Sequence, residues 1–508
     1  MLKNLKARQA VYTFLSSSLL LIAFVASAGS AVAASAAVQV TVNVKSSLGT
    51  IPDTAFGLNT AAWDAHLLDP GVAQLLRQAG VNVLRFPGGS TADFYHWKTN
   101  TVTSTKYGSV NPKDPFDAFM KVASRAGARP MLTVNYGSNT AGTGGGDPQE
   151  AADWVRYANS DKHYGVRYWE VGNEVYGNGS YGAKWEVDLH KEIGPAAYAK
   201  NALDFIKAMK EVDPTIQVGL VLTAPGNWPD GSNPDWNNNV LSIACQQMDF
   251  AAVHWYPQSP GSETDSGLLS STNQITNMVA TLRDKINQNC GSHASKVKIM
   301  ITETNSVNFN PGKQTVSPIN GLFLADSYLS WLENGVTNID WWGLHNGMTT
   351  GQNNSASLSG DTQYGDYGIL SSGSKAPGFK EPPANTPFAP YYALQLLTRL
   401  ASPGDHMLQA SAPGQTQLTV HAISKKNGQI ALLLINKDHD AEHPVNLALA
   451  GLSQDLGQFS AEIYSYGLES GSLQSTVHPS FAQTFLQPLS PYSMSLILLT
   501  PHRCIASA

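Results

Sequence analysis

Two glutamates, Glu174 and Glu303, each close a short apolar run. The runs are Tyr168-Trp169-Glu170-Val171-Gly172-Asn173-Glu174 and Lys298-Ile299-Met300-Ile301-Thr302-Glu303-Thr304-Asn305. A buried strand that ends on a carboxylate delivers that group to a loop rim. Two such groups facing one another can open a glycosidic bond with retention of configuration. One protonates the leaving oxygen, and the other, about 5–5.5 Å away, attacks the anomeric carbon. A lone glutamate at a strand end is more often a salt-bridge partner or a solvated group. Two of them, each beside amide or hydroxyl side chains, favour sugar chemistry.

To face each other, the two carboxylates must sit on opposite sides of a common mouth. Strand-like runs fall at 55–59, 83–86, 130–135, 166–171, 216–223, 250–255, 297–302 and 338–343. Helix-like segments lie between them, among them 71–78, 115–126, 148–159, 195–212 and 320–333. The 148–159 segment opens well, because Asp147 can cap it and Pro148 suits its first turn. Eight strands alternating with helices predict an α/β fold, a (β/α)8 TIM barrel, whose chemistry sits at the C-terminal strand ends. An open doubly wound sheet is the alternative, but no Gly-x-Gly-x-x-Gly turn follows an early strand. Glu174 and Glu303 then close the fourth and seventh strands.

The barrel is expected over 51–385. A Gly-, Ser- and Pro-rich stretch at 371–390 reads as the crossing to a second domain. Short strands at 417–423, 429–436, 445–450, 460–465 and 493–499 predict a smaller all-β sandwich over 386–503. Val38, Val40, Val42 and Val44 alternate with Gln39, Thr41 and Asn43, the period of a half-buried strand. This 38–50 segment precedes the barrel and is expected to join the sandwich.

Residues 1–33 read as a secretory signal peptide. Lys3, Lys6 and Arg8 precede an apolar stretch, and Ala26-Ser27-Ala28 or Ala31-Val32-Ala33 offers a cleavage site. A retained N-terminal anchor is the alternative. No later segment is apolar enough to span a bilayer, so an exported protein with no membrane partner is expected. Charged residues are 14% of the chain and the net charge is −6, with no basic cluster to meet a phosphate backbone. Nucleic acid is therefore not an expected partner. Cys245, Cys290 and Cys504 form no Cys-x-x-Cys pair, so neither a metal site nor a cofactor is indicated. Cys245 and Cys290 each precede a strand, at the barrel's lower end, where a disulfide or two buried thiols would both fit.

Asn173-Glu174 after the fourth strand, with Glu303 after the seventh, resembles the large (β/α)8 clan of retaining glycoside hydrolases. The resemblance implies that Glu174 is the acid/base, Glu303 the nucleophile, and Asn173 a partner for the hydroxyl beside the anomeric carbon. Within the clan, the chain is most similar to the α-L-arabinofuranosidases that carry a C-terminal β-sandwich. Leu84-Arg85-Phe86-Pro87-Gly88-Gly89 resembles their second-strand motif, which implies that Arg85 supports the nucleophile. Val134-Asn135-Tyr136-Gly137 and Asp147-Pro148-Gln149-Glu150-Ala151-Ala152 resemble the third strand and helix. Asp249-Phe250-Ala251-Ala252-Val253-His254-Trp255-Tyr256 resembles the sixth strand, where the tyrosine, here Tyr256, hydrogen-bonds the nucleophile. His254, two residues earlier on the same face, either lines the site or packs in the core.

The departures are specific. The first strand ends on Asn59 where the family has a glutamate that grips the furanose, Ser90 stands where it has asparagine, and Thr302 and Thr304 frame Glu303 in place of Asp and Trp. Asn59 is kept as a candidate sugar contact, as are Trp63 and Trp342, since sugar C–H faces stack on aromatic rings. Arg85, Asn173, His254 and Tyr256 complete the candidate binding set. The expected activity is arabinofuranosidase-like cleavage of plant cell-wall oligo- or polysaccharide. An endo-acting β-1,4-glucanase or xylanase of the same clan is the alternative, and a sugar-binding barrel without catalysis the third.

Overall fold

The computed structural model describes residues 37–452, 459–468, 473–478 and 485–502. The expected signal segment and Cys504 lie outside the described residues. Eight parallel strands close into a barrel: Phe56–Asn59, Val83–Phe86, Arg129–Val134, Tyr168–Val171, Gln217–Thr223, Phe250–Trp255, Lys298–Thr304 and Asn338–Trp341. The first, second and fourth are buried at every position. Helices cover their outer face and packed side chains fill the inner one, which is why such strands read as continuous apolar runs. Val83, Met131, Tyr168, Phe250, Ala252 and Met300 pack into a separate apolar cluster, a floor beneath the mouth.

Local signals hold the helices in place. Asp147 accepts from Gln149 N at the start of Pro148–Val155, and Asp235 accepts from Asn238 N at the start of Trp236–Ala244. Gly127, in the left-handed conformation, ends Phe116–Ala126. Ala389–Leu400 follows the eighth strand and belongs to the barrel's outer ring. Tyr391 donates its hydroxyl to Leu75 O at 3.0 Å, and Gly80 leaves the room that Thr398 fills. The barrel's helices thus run to Leu400, past the boundary expected at 385. The Pro-rich stretch before this helix is a loop, and Pro390 sits in the helix's first turn, where proline is tolerated. Among the described residues, no helix is long and apolar enough to cross a membrane.

Among the described residues, the mostly-β domain is one continuous sheet of nine strands. Val38–Thr50 lies inside it, antiparallel to His406–Ser411 and parallel to His443–Ala450, with Val42 opposite Ala410 and Val40 opposite Leu447. The sheet bends over itself. Asn436 Nδ2, on Ile430–Asn436, donates to Leu489 O of the edge strand Leu486–Leu489 at 3.0 Å. Both halves share one core, with Val40 and Val42 against Leu432, Leu434, Ile463 and Ile497. The alternate residues Ala431, Leu433 and Ile435 point the other way and join the barrel's core. Every position of Ile430–Asn436 is therefore buried.

At this junction the barrel helix Pro318–Glu333 carries a buried charged cluster. Asp326 pairs with Lys437 at 2.6 Å and His421 at 3.0 Å, and His421 also reaches Glu333 at 2.9 Å. At the barrel's lower end a disulfide joins Cys245 to Cys290, with Cα atoms 5.3 Å apart.

Candidate active site

The second strand places Arg85 inside the barrel, 1% exposed, directly under the mouth. A buried guanidinium needs acceptors on every edge. Arg85 Nε donates to Glu170 Oε2 at 2.6 Å, Nη1 to Asn59 Oδ1 at 2.9 Å and Glu303 Oε2 at 3.3 Å, and Nη2 to Asn173 Oδ1 at 2.9 Å. One cation thereby ties the first, second, fourth and seventh strands together. Thr133 on the third adds a bond to Glu170 at 2.6 Å.

Glu303 reaches the mouth through an irregularity in its strand. Lys298–Thr304 pairs in step with Phe250–Trp255 as far as Ile301, then slips so that Glu303 stands opposite His254. A bulge of this kind re-aims a side chain beside a site. Tyr256 OH then donates to Glu303 Oε1 at 2.6 Å. Glu174 is turned inward by its backbone, at φ 39°. Gly172, at φ 77°, starts the turn, and a Cβ there would meet Val175 and Tyr136.

Glu174 collects three donors. His254 Nδ1 and Tyr176 OH each lie 3.0 Å from Oε1, and Trp185 Nε1 lies 3.0 Å from Oε2. His254 Nδ1 also approaches Glu303 Oε2 at 3.9 Å. One ligand-type atom from each of Glu174, His254 and Glu303 lies within 4.8 Å of the others. Such a triad could hold a cation, but Arg85 already supplies a fixed positive charge against Glu303.

The titration of the pair is opposite to what a protonated acid/base would give. Burial alone raises Glu174, but the bond and charge of His254, with Tyr176 and Trp185, outweigh it and hold Glu174 below the usual carboxylate value. Glu303 is raised: burial and the charge of Glu174 overcome the opposing effects of His254, Arg85 and Tyr256. The resting site thus steers negative charge towards Glu174.

Of the sequence candidates, Glu174, Glu303, Arg85, Asn173, His254 and Tyr256 converge. Asn59 is 1% exposed, its Oδ1 accepts from Arg85, and its Nδ2 donates to Thr302 O at 3.0 Å. Trp63 is half-buried on the loop after the first strand, without a hydrogen bond to either glutamate. Trp342 is half-buried at the end of the eighth strand, where its ring packs over Gly89.

Sequence reasoning missed Glu186 and Trp185, which sit on a loop without periodicity, and Asp93, which sits in the short 3-10 turn Gly89–Phe94. Glu186 Oε1 accepts from Ser90 Oγ at 2.7 Å and Asn173 Nδ2 at 3.0 Å, so Ser90 works through Glu186 to orient Asn173. Asp93 Oδ2 accepts from Asn173 N at 3.1 Å. Burial and the nearby charge of Asp93 push Glu186 well above the usual range, and its Oε2 has no partner. A crevice of about 640 Å³, lined by Lys121, Arg125, Arg129, His163 and Arg167, opens at the opposite end of the barrel, away from these groups.

The family model of the glycosyl hydrolase family 79 N-terminal domain matches residues 116–330, a stretch that includes Glu174 and Glu303. The probable alpha-L-arabinofuranosidase C of Aspergillus niger is 27% identical over 225 residues, covering 37% of this chain and 40% of that protein. The intracellular exo-alpha-(1->5)-L-arabinofuranosidase of Streptomyces lividans is 26% identical over 252 residues, 43% of this chain and 35% of that protein. The chain thus spans at most 40% of the length of these two curated relatives. The alpha-L-arabinofuranosidase of Thermotoga maritima, solved with arabinose, aligns at a TM-score of 0.69 and 18% identity, covering 91% of this chain and 99% of that one. A bifunctional glucanase-xylanase from a metagenome library aligns at 0.64 and 16%, covering 92% and 99%. These structures share the fold: a parallel (β/α)8 barrel joined to a mostly-β domain.

Proposed function

We propose that the protein is a secreted retaining glycoside hydrolase that uses Glu303 as nucleophile and Glu174 as acid/base, with α-L-arabinofuranosides of plant cell-wall polysaccharide as substrates. The observation that carries this reading is the approach of two carboxylates to within 4.8 Å, Glu174 half-buried and Glu303 buried, the latter gripped by a guanidinium and a phenol. That spacing is on the short side of the separation that divides retaining from inverting pairs and suits attack by one carboxylate on the anomeric carbon.

Arg85 and Tyr256 fix one Glu303 oxygen each and hold the carboxylate against the sugar. The proton for the leaving oxygen is shared along the 3.0 Å Glu174–His254 hydrogen bond and reaches the leaving oxygen from Glu174. When Glu303 attacks, the glycosidic C–O bond breaks and that proton passes to the departing oxygen. Glu303 is then an uncharged ester, and Glu174 is left as a carboxylate. It takes a proton from the water that displaces Glu303, so the same group serves first as acid and then as base. Asn173, braced by Arg85 and Glu186, is the group for the hydroxyl beside the anomeric carbon.

The arabinofuranosidase names of the relatives support the sugar. The exported state is supported by the N-terminal segment and by the disulfide, a bond that persists in oxidising compartments. One observation favours a second reading, internal cleavage of a β-glucan or β-xylan: Asn59, in place of a furanose-gripping glutamate, is fully engaged with the barrel wall.

The test is hydrolysis of aryl α-L-arabinofuranoside beside aryl β-xyloside, aryl β-glucoside and the two polymers. Proton NMR follows the first-formed anomer. Release from the arabinofuranoside with the configuration kept is expected. Cutting of polymer alone would favour the second reading, and an inverted first product would remove the double displacement.

A further inference from the structure

Trp185 and Trp228 are the two tryptophans exposed by more than a third, at 45% and 46%. Exposed aromatic residues scattered singly need no explanation, but these two are adjacent and beside the candidate acid/base. Their ring centroids are 5.0 Å apart. Trp185 lies on the loop after the fourth barrel strand, and its Nε1 donates to Glu174 Oε2. Its ring rests so closely on Gly177 that a Cβ there would lie 2.5 Å from the indole. Trp228 lies on the loop after the fifth strand, edge-on to Tyr176 and Tyr181 at 6.1 Å from each. Tyr181 OH donates to Pro234 O at 2.7 Å, which ties the two loops together.

We infer that Trp185 and Trp228 form a leaving-group subsite that stacks a pyranose ring of an oligosaccharide. This rests on the reading of Glu174 as acid/base. The acid/base bonds the leaving oxygen, so the first sugar ring of the leaving group lies on the Glu174 side of the bond that breaks. There it meets two indoles fixed from behind and open in front. A pyranose chair presents flat C–H faces that match such a surface, and the indole faces carry the negative charge density that attracts them. The same surface accepts an incoming sugar in the reverse direction. A hydroxyl of that sugar attacks the anomeric carbon of the glycosyl ester, the bond to Glu303 breaks and its electron pair returns to the carboxylate. The hydroxyl proton goes to Glu174.

Trp228 is the position to test, because it touches neither glutamate. An activated aryl glycoside serves as donor, with xylotriose or cellotriose as acceptor. In Trp228→Ala, the ratio of transfer product to hydrolysis product at a fixed acceptor concentration should fall about tenfold, the equivalent of one aromatic stacking contact, whatever the change in aryl release. An unchanged ratio would overturn the inference. Tryptophan fluorescence titrated with the same trisaccharides needs no turnover. No aryl release together with a trisaccharide-dependent change that Trp228→Ala loses would defeat the hydrolase reading and leave the platform standing. No change in the wild-type protein, or a change that Trp228→Ala keeps, would defeat the platform.

Discussion

At the scale of single residues, the site is organised by two hubs. Arg85 fixes the barrel wall and Glu303 from below, and His254 bridges the two carboxylates from the side. Glu174 and Glu303 were legible in the sequence because each interrupts an apolar run where a strand must end. The Asn59 bond to Arg85 was not, because a strand-end amide looks the same whether it faces a ligand or a buried arginine. Glu186 and Trp185 were hidden for another reason: they lie on an irregular loop and reach the site only through tertiary folding. His254 gives a prediction with a definite sign. Its positive charge lowers both glutamates, and Arg85 and Tyr256 alone do not cancel the effects that raise Glu303. In His254→Phe, Glu303 should climb further, so its carboxylate is lost earlier as the pH falls. The acidic limb of kcat/KM against pH should move to higher pH. A limb that stays in place or moves down would show that His254 does not act on the nucleophile.

At the scale of elements, the eight barrel strands were readable because burial on both faces leaves continuous apolar runs, and the observed ends differ from the expected ones by at most two residues. Trp236–Ala244 is harder to read, since three consecutive asparagines fill its first turn and only the Asp235 cap marks its start. The 148–159 helix also departs from expectation. Its α-helical part ends at Val155 and a wider turn continues over Arg156–Asp161, where the Asn159 side chain bonds the backbone of Val166 on both its N–H and its carbonyl. Two helices meet at the Cys245–Cys290 bond, which closes a separation of 45 residues. Loss of that closure should cost about 4 kcal/mol by the chain-entropy estimate. Cys245→Ser with Cys290→Ser should therefore unfold at a lower temperature in calorimetry. Turnover well below that temperature should be kept, because the bond lies at the end of the barrel away from the glutamates. An unchanged melting temperature would mean that the bond does not constrain the unfolded chain.

At the scale of the molecule, the two domains are joined by apolar packing and by the buried cluster of Asp326, Lys437, His421 and Glu333. Residues 38–50 precede the barrel in sequence yet lie inside the distant sheet, a pairing that strict alternation suggests but whose register only the fold supplies. The cluster sets a pH window for stability. Although burial opposes its charge, Glu333 and Asp326 raise His421 from 6.5 to about 9. Its contribution is complete below about 6.5 and is lost as the pH rises through 9. Asp326 is moved the other way, because Lys437 and His421 outweigh its burial. Its contribution is complete above the ordinary carboxylate value and is lost as the pH falls well below it. The melting temperature should peak between these limits, and His421→Gln should flatten the alkaline descent. An equally steep descent in that variant would place the titrating group elsewhere.

In the proposed double displacement Glu303 becomes covalently linked to the sugar while Glu174 handles the proton. Azide rescue of Glu303→Gly, with the product read by NMR, separates the two roles. Without the carboxylate no glycosyl ester can form, so turnover of an activated aryl glycoside should collapse. Added azide, small enough to fill the vacated space, should attack the anomeric carbon directly and restore turnover. A glycosyl azide of inverted configuration is expected. A glycosyl azide of retained configuration would assign position 303 to the acid/base and contradict the account.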